Sequence, residues 1–302
     1  MKQWVLTTPY LQIKGNLLEG PFYDEETGQA RFIDIIDRGL YTFHPSRGPE
    51  SLKKIKIKET IGVTANISVV GSELLAGARD GIAKLNTIKG DVSYLCKFWA
   101  TDDTERGLRM RCNDGAVDSR GGFWVGTLND QPTKSPSNPE GTLFRVDGDL
   151  KAHAMLEGLH ASNGMGWNLA DDIMFFTDSD DKNIYAFDFD AERGAISNQR
   201  VFYHVPGAEI FPDGLAVDRE DCVWSALWGG GKVLRIAPDG IVIGEVIMPT
   251  TYVTCPAFIG TELLITTRGD PECADVSIKR GGDVYKVEVG TSGVLKYKFH
   301  LI

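Results

Sequence analysis

The chain has 302 residues, 42% hydrophobic and 25% charged, an ordinary balance for a globular protein and one that excludes disorder and collagen-like repeats. Its net charge of −10 repels phosphate backbones and anionic headgroups, which argues against nucleic acid or a membrane surface as partner. No run of about 18 apolar residues is present, so no membrane-spanning helix is expected.

The N-terminal stretch MKQWVLTTPYLQIKG has no apolar core and no small-residue cleavage site, so it does not read as a secretory signal. The five cysteines, Cys96, Cys112, Cys222, Cys255 and Cys273, are odd in number and scattered without a CxxC pair. They read as reduced thiols of a cytoplasmic protein rather than as a disulfide framework or a zinc site.

In chain order, a short strand-like run recurs six times: ARFIDI, ELLAGA, GFWVGT, IMFFTD, CVWSAL and ELLITT. A turn and a second run follow each: GLYTFHP, GIAKLN, GTLFRVDGD, NIYAFDFD, KVLRIAPDG and DVYKVEVG. Phe32, Leu75, Trp124, Phe175, Trp224 and Leu264 occupy the same place in the first runs, at spacings of 43, 49, 51, 49 and 40. A period of about 40–50 residues with several strands per unit is that of a propeller blade. The 34 glycines, above the usual share of about 7%, suit the many turns. The chain is therefore predicted to be all-β. It forms one domain, residues 1–302, a six-bladed propeller of four-stranded antiparallel blades around a central channel. A closed ring of this kind suits a monomer or a weak homo-oligomer. Two β-sandwiches are the alternative, but their linker would be PTKSPSNPEG (132–141), which falls inside the third unit and reads as a surface loop. ATDDTERGLRMR (100–111) likewise reads as a loop entering that unit.

Several catalytic signatures are missing. There is no G-x-S-x-G elbow, no phosphate-binding glycine loop and no H-E-x-x-H helix. The five histidines have no ligand spacing, and only His160, three residues before Asn163, stands near a motif.

Four segments place polar residues where the repeat favours apolar ones: LLEGPFYD (17–24), RCNDG (111–115), SNGMGW (162–167) and FPDGLAVD (211–218). Taken singly, PDG, SNG and NDG are turn signatures, and Glu19 suits a solvated strand end. Taken together they fall in four units whose blade-connecting segments converge on a propeller axis. Glu19, Asn163 and Asp213 then form an all-oxygen set suited to one hard divalent cation, Ca²⁺ first, with Mg²⁺, Mn²⁺ or Zn²⁺ as other occupants. Arg111 and Asn113 have the donors to hold a polar substrate.

This joint pattern, together with FFTDSDDKNIYAFDFD and VTCPAFIG, resembles the gluconolactonase/regucalcin (senescence marker protein) family of six-bladed propellers over essentially the whole chain. The resemblance implies that Glu19, Asn163 and Asp213 are metal ligands, Asp213 also being the catalytic base. It implies that Arg111 and Asn113 contact the substrate. It further implies a metal-dependent hydrolase opening a cyclic ester, a sugar lactone first. One position departs from the family: Gln131 stands where some members carry a sugar-binding Glu. Gln131 and the apolar Met165 and Trp167 lean toward a metal-dependent esterase or cyclase acting on a less hydroxylated natural product, and a non-catalytic divalent-ion- or ligand-binding propeller is the other alternative.

Overall fold

The computed structural model describes residues 1–68, 71–99, 104–130, 138–269 and 281–302. Six antiparallel sheets follow one another along the chain. Blade 1 comprises Leu18–Asp24, Gln29–Asp34, Gly39–Phe43 and Lys53–Lys56. Blade 2 comprises Ile61–Ala65, Glu73–Ala78, Gly81–Asn86 and Val92–Lys97. Blade 3 comprises Met110–Val117, Phe123–Asn129, Gly141–Val146 and Ala152–Leu159. Blade 4 comprises Ser162–Trp167, Ile173–Asp178, Asn183–Asp190 and Ala195–His204. Blade 5 comprises Phe211–Val217, Val223–Trp228, Lys232–Ile236 and Val242–Ile247. Blade 6 comprises Val253–Ile259, Glu262–Thr267 and Tyr285–Glu288. Each innermost strand packs against its counterparts in the two neighbouring blades, and those of blades 1 and 6 meet, closing a six-bladed β-propeller.

The six predicted first runs are the second strands of the blades, and the second runs are the third strands. Their shared apolar position is buried in every case, and the reason is the packing between blades. Among the described residues there are six hydrophobic clusters, one at each junction. Trp124 of blade 3 packs on Met165, Trp167 and Phe176 of blade 4, and Trp224 of blade 5 packs on Val253 and Leu263 of blade 6. Phe32 of blade 1 packs on Leu264 of blade 6, and the other three junctions repeat the scheme. A lone blade would leave both faces wet. Burying each such side chain contributes about 1.5–3 kcal/mol, so ring closure stabilises every blade at once.

The two chain ends finish the ring. Lys2–Val5 adds a fifth, parallel strand to the outer edge of blade 5, and Leu11 bridges Val284 beside blade 6. At the C-terminus, the Val294 amide donates to Val217, the Phe299 amide to Asn66 and the His300 amide to Gly121. The tail therefore crosses from blade 5 to blades 2 and 3, with Phe299 fully buried at the far side.

The segment expected as a loop at 100–111 is in part a short helix, Thr104–Arg109, which runs directly into the inner strand of blade 3. Residues 132–137 of the proposed surface loop lie outside the described residues. No helix among the described residues is long and apolar enough to cross a membrane.

Candidate functional site

All six innermost strands carry a β-bulge. The register shifts fall between Glu19 and Phe22, Ile61 and Val63, Cys112 and Gly115, Ser162 and Met165, Pro212 and Leu215, and Val253 and Pro256. A bulge bends its strand and re-aims a side chain. Here Asn113, Asn163 and Asp213 sit inside the bulge and Glu19 at its leading residue, and all four line one cavity. The place of the two asparagines and Asp213 holds Gly62 in blade 2 and Thr254 in blade 6, neither of which lines that cavity. NDG, SNG and PDG, which read singly as turns, are thus bulged mid-strand segments. The site is built from innermost strands and not, as expected, from the segments connecting blades.

Small residues let these strands approach. A Cβ on Gly164 would lie 2.3 Å from the Leu215 nitrogen and 2.8 Å from the Asp213 carbonyl oxygen. Gly164→Ala should therefore part the strands carrying Asn163 and Asp213, lowering stability by about 1–3 kcal/mol. Urea unfolding measures this, and an unchanged midpoint would contradict it.

Glu19, Arg111, Asn113, Asn163 and Asp213 line one cavity of about 330 Å³, open to solvent at one end of the channel. All five side chains are buried. Glu19 is not a solvated strand end. Ser179 and Asp180, from the turn after the second strand of blade 4, and the apolar Leu128, Phe211 and Trp228 complete the wall. These were not anticipated, although the S-D-D run after IMFFTD is polar where the repeat needs only a turn.

The carboxylates carry an electrostatic cost. Burial pushes Glu19 well above the ordinary carboxylate range, and the charges of Asp213 and Asp114 add to it. Burial also raises Asp213, as does Asp114, while hydrogen bonding from Asn163 and the Gly214 amide opposes the rise. Among the described residues, neither carboxylate has an ion-pair partner. Asn163 donates through Nδ2 to Ser179 Oγ at 3.1 Å, leaving its buried Oδ1 without a partner. Two unpaired carboxylates and an orphaned amide oxygen fit a hard divalent cation, which would neutralise the charge and occupy the free acceptor. No cluster of three His, Cys, Asp or Glu exists among the described residues, so such a site depends on the Asn163 amide.

Arg111 and Asn113 form a rigid pair. Arg111 Nη1 donates to Asn113 Oδ1 at 2.7 Å and to the Cys112 carbonyl at 3.0 Å. Asn113 Nδ2 donates to the Ser162 carbonyl of blade 4 at 3.0 Å. Asp114 points into the channel beneath the cavity, alongside Cys255 and Lys296, and burial pushes its carboxyl up to about 6. Burial also raises the thiols of Cys112 and Cys255, which removes them as nucleophiles.

Gln131 lies outside the described residues. His160 does not line the cavity; its ring sits 3.6 Å from Asp181. Trp167 is packing, edge-on to Trp124 at 6.1 Å, and Met165 lines the buried channel below the site.

The comparisons agree with this fold. The chain is 38% identical over 94% of its length to an uncharacterised protein of Sulfolobus acidocaldarius, 96% of which is covered. It is 28% identical to the pentonolactonase XacC of Haloferax volcanii, with 91% of each chain covered. The crystal structure of a calcium-binding regucalcin from Agrobacterium tumefaciens superposes with a TM-score of 0.86 at 24% identity, covering 100% of both chains. The profile of the SMP-30/Gluconolactonase/LRE-like region matches residues 17–269. With the closed six-bladed ring and its polar cavity, this match shows that the chain belongs to the SMP-30/gluconolactonase/LRE-like family.

Proposed function

We propose that the protein is a divalent-metal-dependent lactonase that opens a small cyclic ester, a sugar lactone first. The observation carrying this reading is the convergence of two unpaired buried carboxylates, the free Asn163 Oδ1 and the Arg111–Asn113 pair on one cavity. The lactonase activity named for the Haloferax relative supports it.

In this reading Glu19, Asn163 and Asp213 hold one divalent ion, Ca²⁺ first, as the calcium-binding description of the Agrobacterium propeller suggests. A bound ion supplies Lewis-acid polarisation of the ester carbonyl. Arg111 and Asn113 orient the substrate oxygens with their remaining N–H donors. Asp213 takes the proton of the attacking water as its oxygen bonds to the carbonyl carbon. The ring C–O bond then breaks, the leaving alkoxide takes the proton held by Asp213, and a hydroxy acid is released.

The test is acid release from lactones by metal-stripped protein, before and after adding Ca²⁺, Mg²⁺, Mn²⁺ or Zn²⁺. Metal-dependent opening of an aldonolactone is expected. The walls formed by Leu128, Phe211 and Trp228 favour a second reading, an ester with fewer hydroxyls. Turnover of a plain aliphatic lactone alone would select it, and inertness toward both classes would overturn the enzymatic reading.

A further inference from the structure

We propose that Asp130 is a positioning and specificity residue: it fixes Arg111 in the cavity and offsets its charge, so that the site selects neutral lactones over anionic ones. The inference rests on the lactonase reading for its substrate arm and on geometry alone for its positioning arm.

Arg111 has five N–H donors. Its Nε donates to Asp130 Oδ1 at 2.6 Å, and its two Nη1 protons go to Cys112 and Asn113. Nη2 carries the two remaining donors, on a guanidinium that lines the cavity. One edge of the fork is thus clamped and the other is presented to a ligand.

Asp130 is itself braced. Its Oδ2 accepts from Arg79 Nη2 at 3.0 Å. Arg79 Nη1 donates to the carbonyls of Leu108 at 3.2 Å and Met110 at 3.4 Å, where the chain enters blade 3. An unbroken chain of hydrogen bonds runs from Arg79 at the tip of blade 2, through Asp130, Arg111 and Asn113, to the Ser162 carbonyl of blade 4. It spans three blades and leaves Arg111 little rotational freedom. Burial alone would raise Asp130, but the two guanidinium groups more than offset it and hold its carboxyl below the ordinary range. Asp130 therefore stays ionised at neutral pH.

The charge consequence follows. Arg111 is the cation lining the cavity among the described residues, beside the carboxylates of Glu19, Asp180 and Asp213. A divalent ion balances Glu19 and Asp213, while Asp130 and Asp180 together balance the two guanidiniums of Arg111 and Arg79. No net positive charge is then left to attract a substrate carboxylate or phosphate. Arg111 then acts as a hydrogen-bonding fork for hydroxyl or ring oxygens. An anionic lactone would instead need an unpaired guanidinium there.

The test compares wild type with D130N, D130A and R79A. The substrates are a neutral aldonolactone and a carboxylate-bearing aldarolactone, with Ca²⁺ present. Wild type should favour the neutral lactone at least tenfold in kcat/KM. D130N should lose about tenfold or more on the neutral lactone, chiefly through KM, and narrow the preference about tenfold. Its Ca²⁺ affinity should not change. R79A, which leaves the Asp130–Arg111 pair intact, should lie between the two. Unchanged preference in D130N would overturn the specificity role. The positioning arm is read without turnover, from the ¹⁵N resonance of the exchange-protected Arg111 Nε–H. Its loss in D130A, which has no acceptor there, and its retention in R79A is the expected result, even should wild type open neither lactone. A protected Nε–H in D130A would overturn the positioning role.

Discussion

Replacing Asp213 by Asn should lower lactone turnover by about 10²–10⁴-fold, the range for removing a general base, and weaken divalent-ion binding at the same time. The substitution keeps the shape of the side chain and its place on the bulged inner strand of blade 5. It removes a negative charge and the proton acceptor. The same change should leave the metal-free protein as stable as wild type or more so. Asp213 is buried, burial opposes its ionised form, and Glu19 and Asp114 repel it. Activity lost while stability is kept or gained is the signature of a group retained for chemistry. Indicator assays of lactone opening, calorimetric Ca²⁺ titration and thermal unfolding measure the three quantities. Wild-type turnover and ion affinity in D213N would remove Asp213 from the proposed machinery.

The largest expected loss of stability lies far from the cavity. Asp218→Ala should cost about 3–5 kcal/mol, because it leaves a fully buried indole N–H and two turn amides without their acceptor and removes one of the two carboxylates that pair with Arg235. Asp218 is fully buried. Its Oδ2 accepts from Trp224 Nε1 at 2.8 Å and from Arg235 Nη2 at 2.7 Å. Its Oδ1 accepts the amides of Glu220 at 2.9 Å and Cys222 at 3.0 Å, closing the turn between the first two strands of blade 5. Removing the carboxylate strands the indole, leaves Arg235 only the exposed Glu220, and opens that turn. Asp118 repeats the arrangement in blade 3, with Trp124 Nε1 at 2.8 Å, Arg145 Nε at 2.9 Å and the Gly122 amide at 2.9 Å. Asp118→Ala should therefore cost a similar amount. Denaturant unfolding of each variant checks both, and losses below about 1 kcal/mol would show that the networks add little.

These two networks explain why AVDSRGGFW and AVDREDCVW look alike. The aspartate closes a turn and reaches the tryptophan six residues on, a local geometry readable in either segment. The partner arginines, 27 and 17 residues after their aspartates, are not readable, because the third strand brings them back across the sheet. The apolar repeat was legible for the same local reason. Alternation and turn residues specify each strand pair, and the recurring position of Phe32 or Trp224 marks the face a neighbouring blade must cover.

The candidate site was legible as a set of residues but not as a construction. Glu19, Arg111, Asn113, Asn163 and Asp213 do converge on one cavity. Yet NDG, SNG and PDG have turn composition, and only pairing with the second strand of each blade turns them into bulges that aim inward. Asp130 gives no signal as a partner of Arg111, since its 19-residue separation is closed by the hairpin of blade 3. Nor does local pattern place Leu11 beside Val284, or Phe299 across the ring beside Asn66. The amino-acid order by itself determined six strand units, their buried faces and the polar positions within them, because those depend on neighbours a few residues away. The way both chain ends finish the ring, the braced arginine and the unpaired charge of the cavity were decided only by the tertiary structure. Each depends on groups distant in the chain that meet when all six blades pack around one axis.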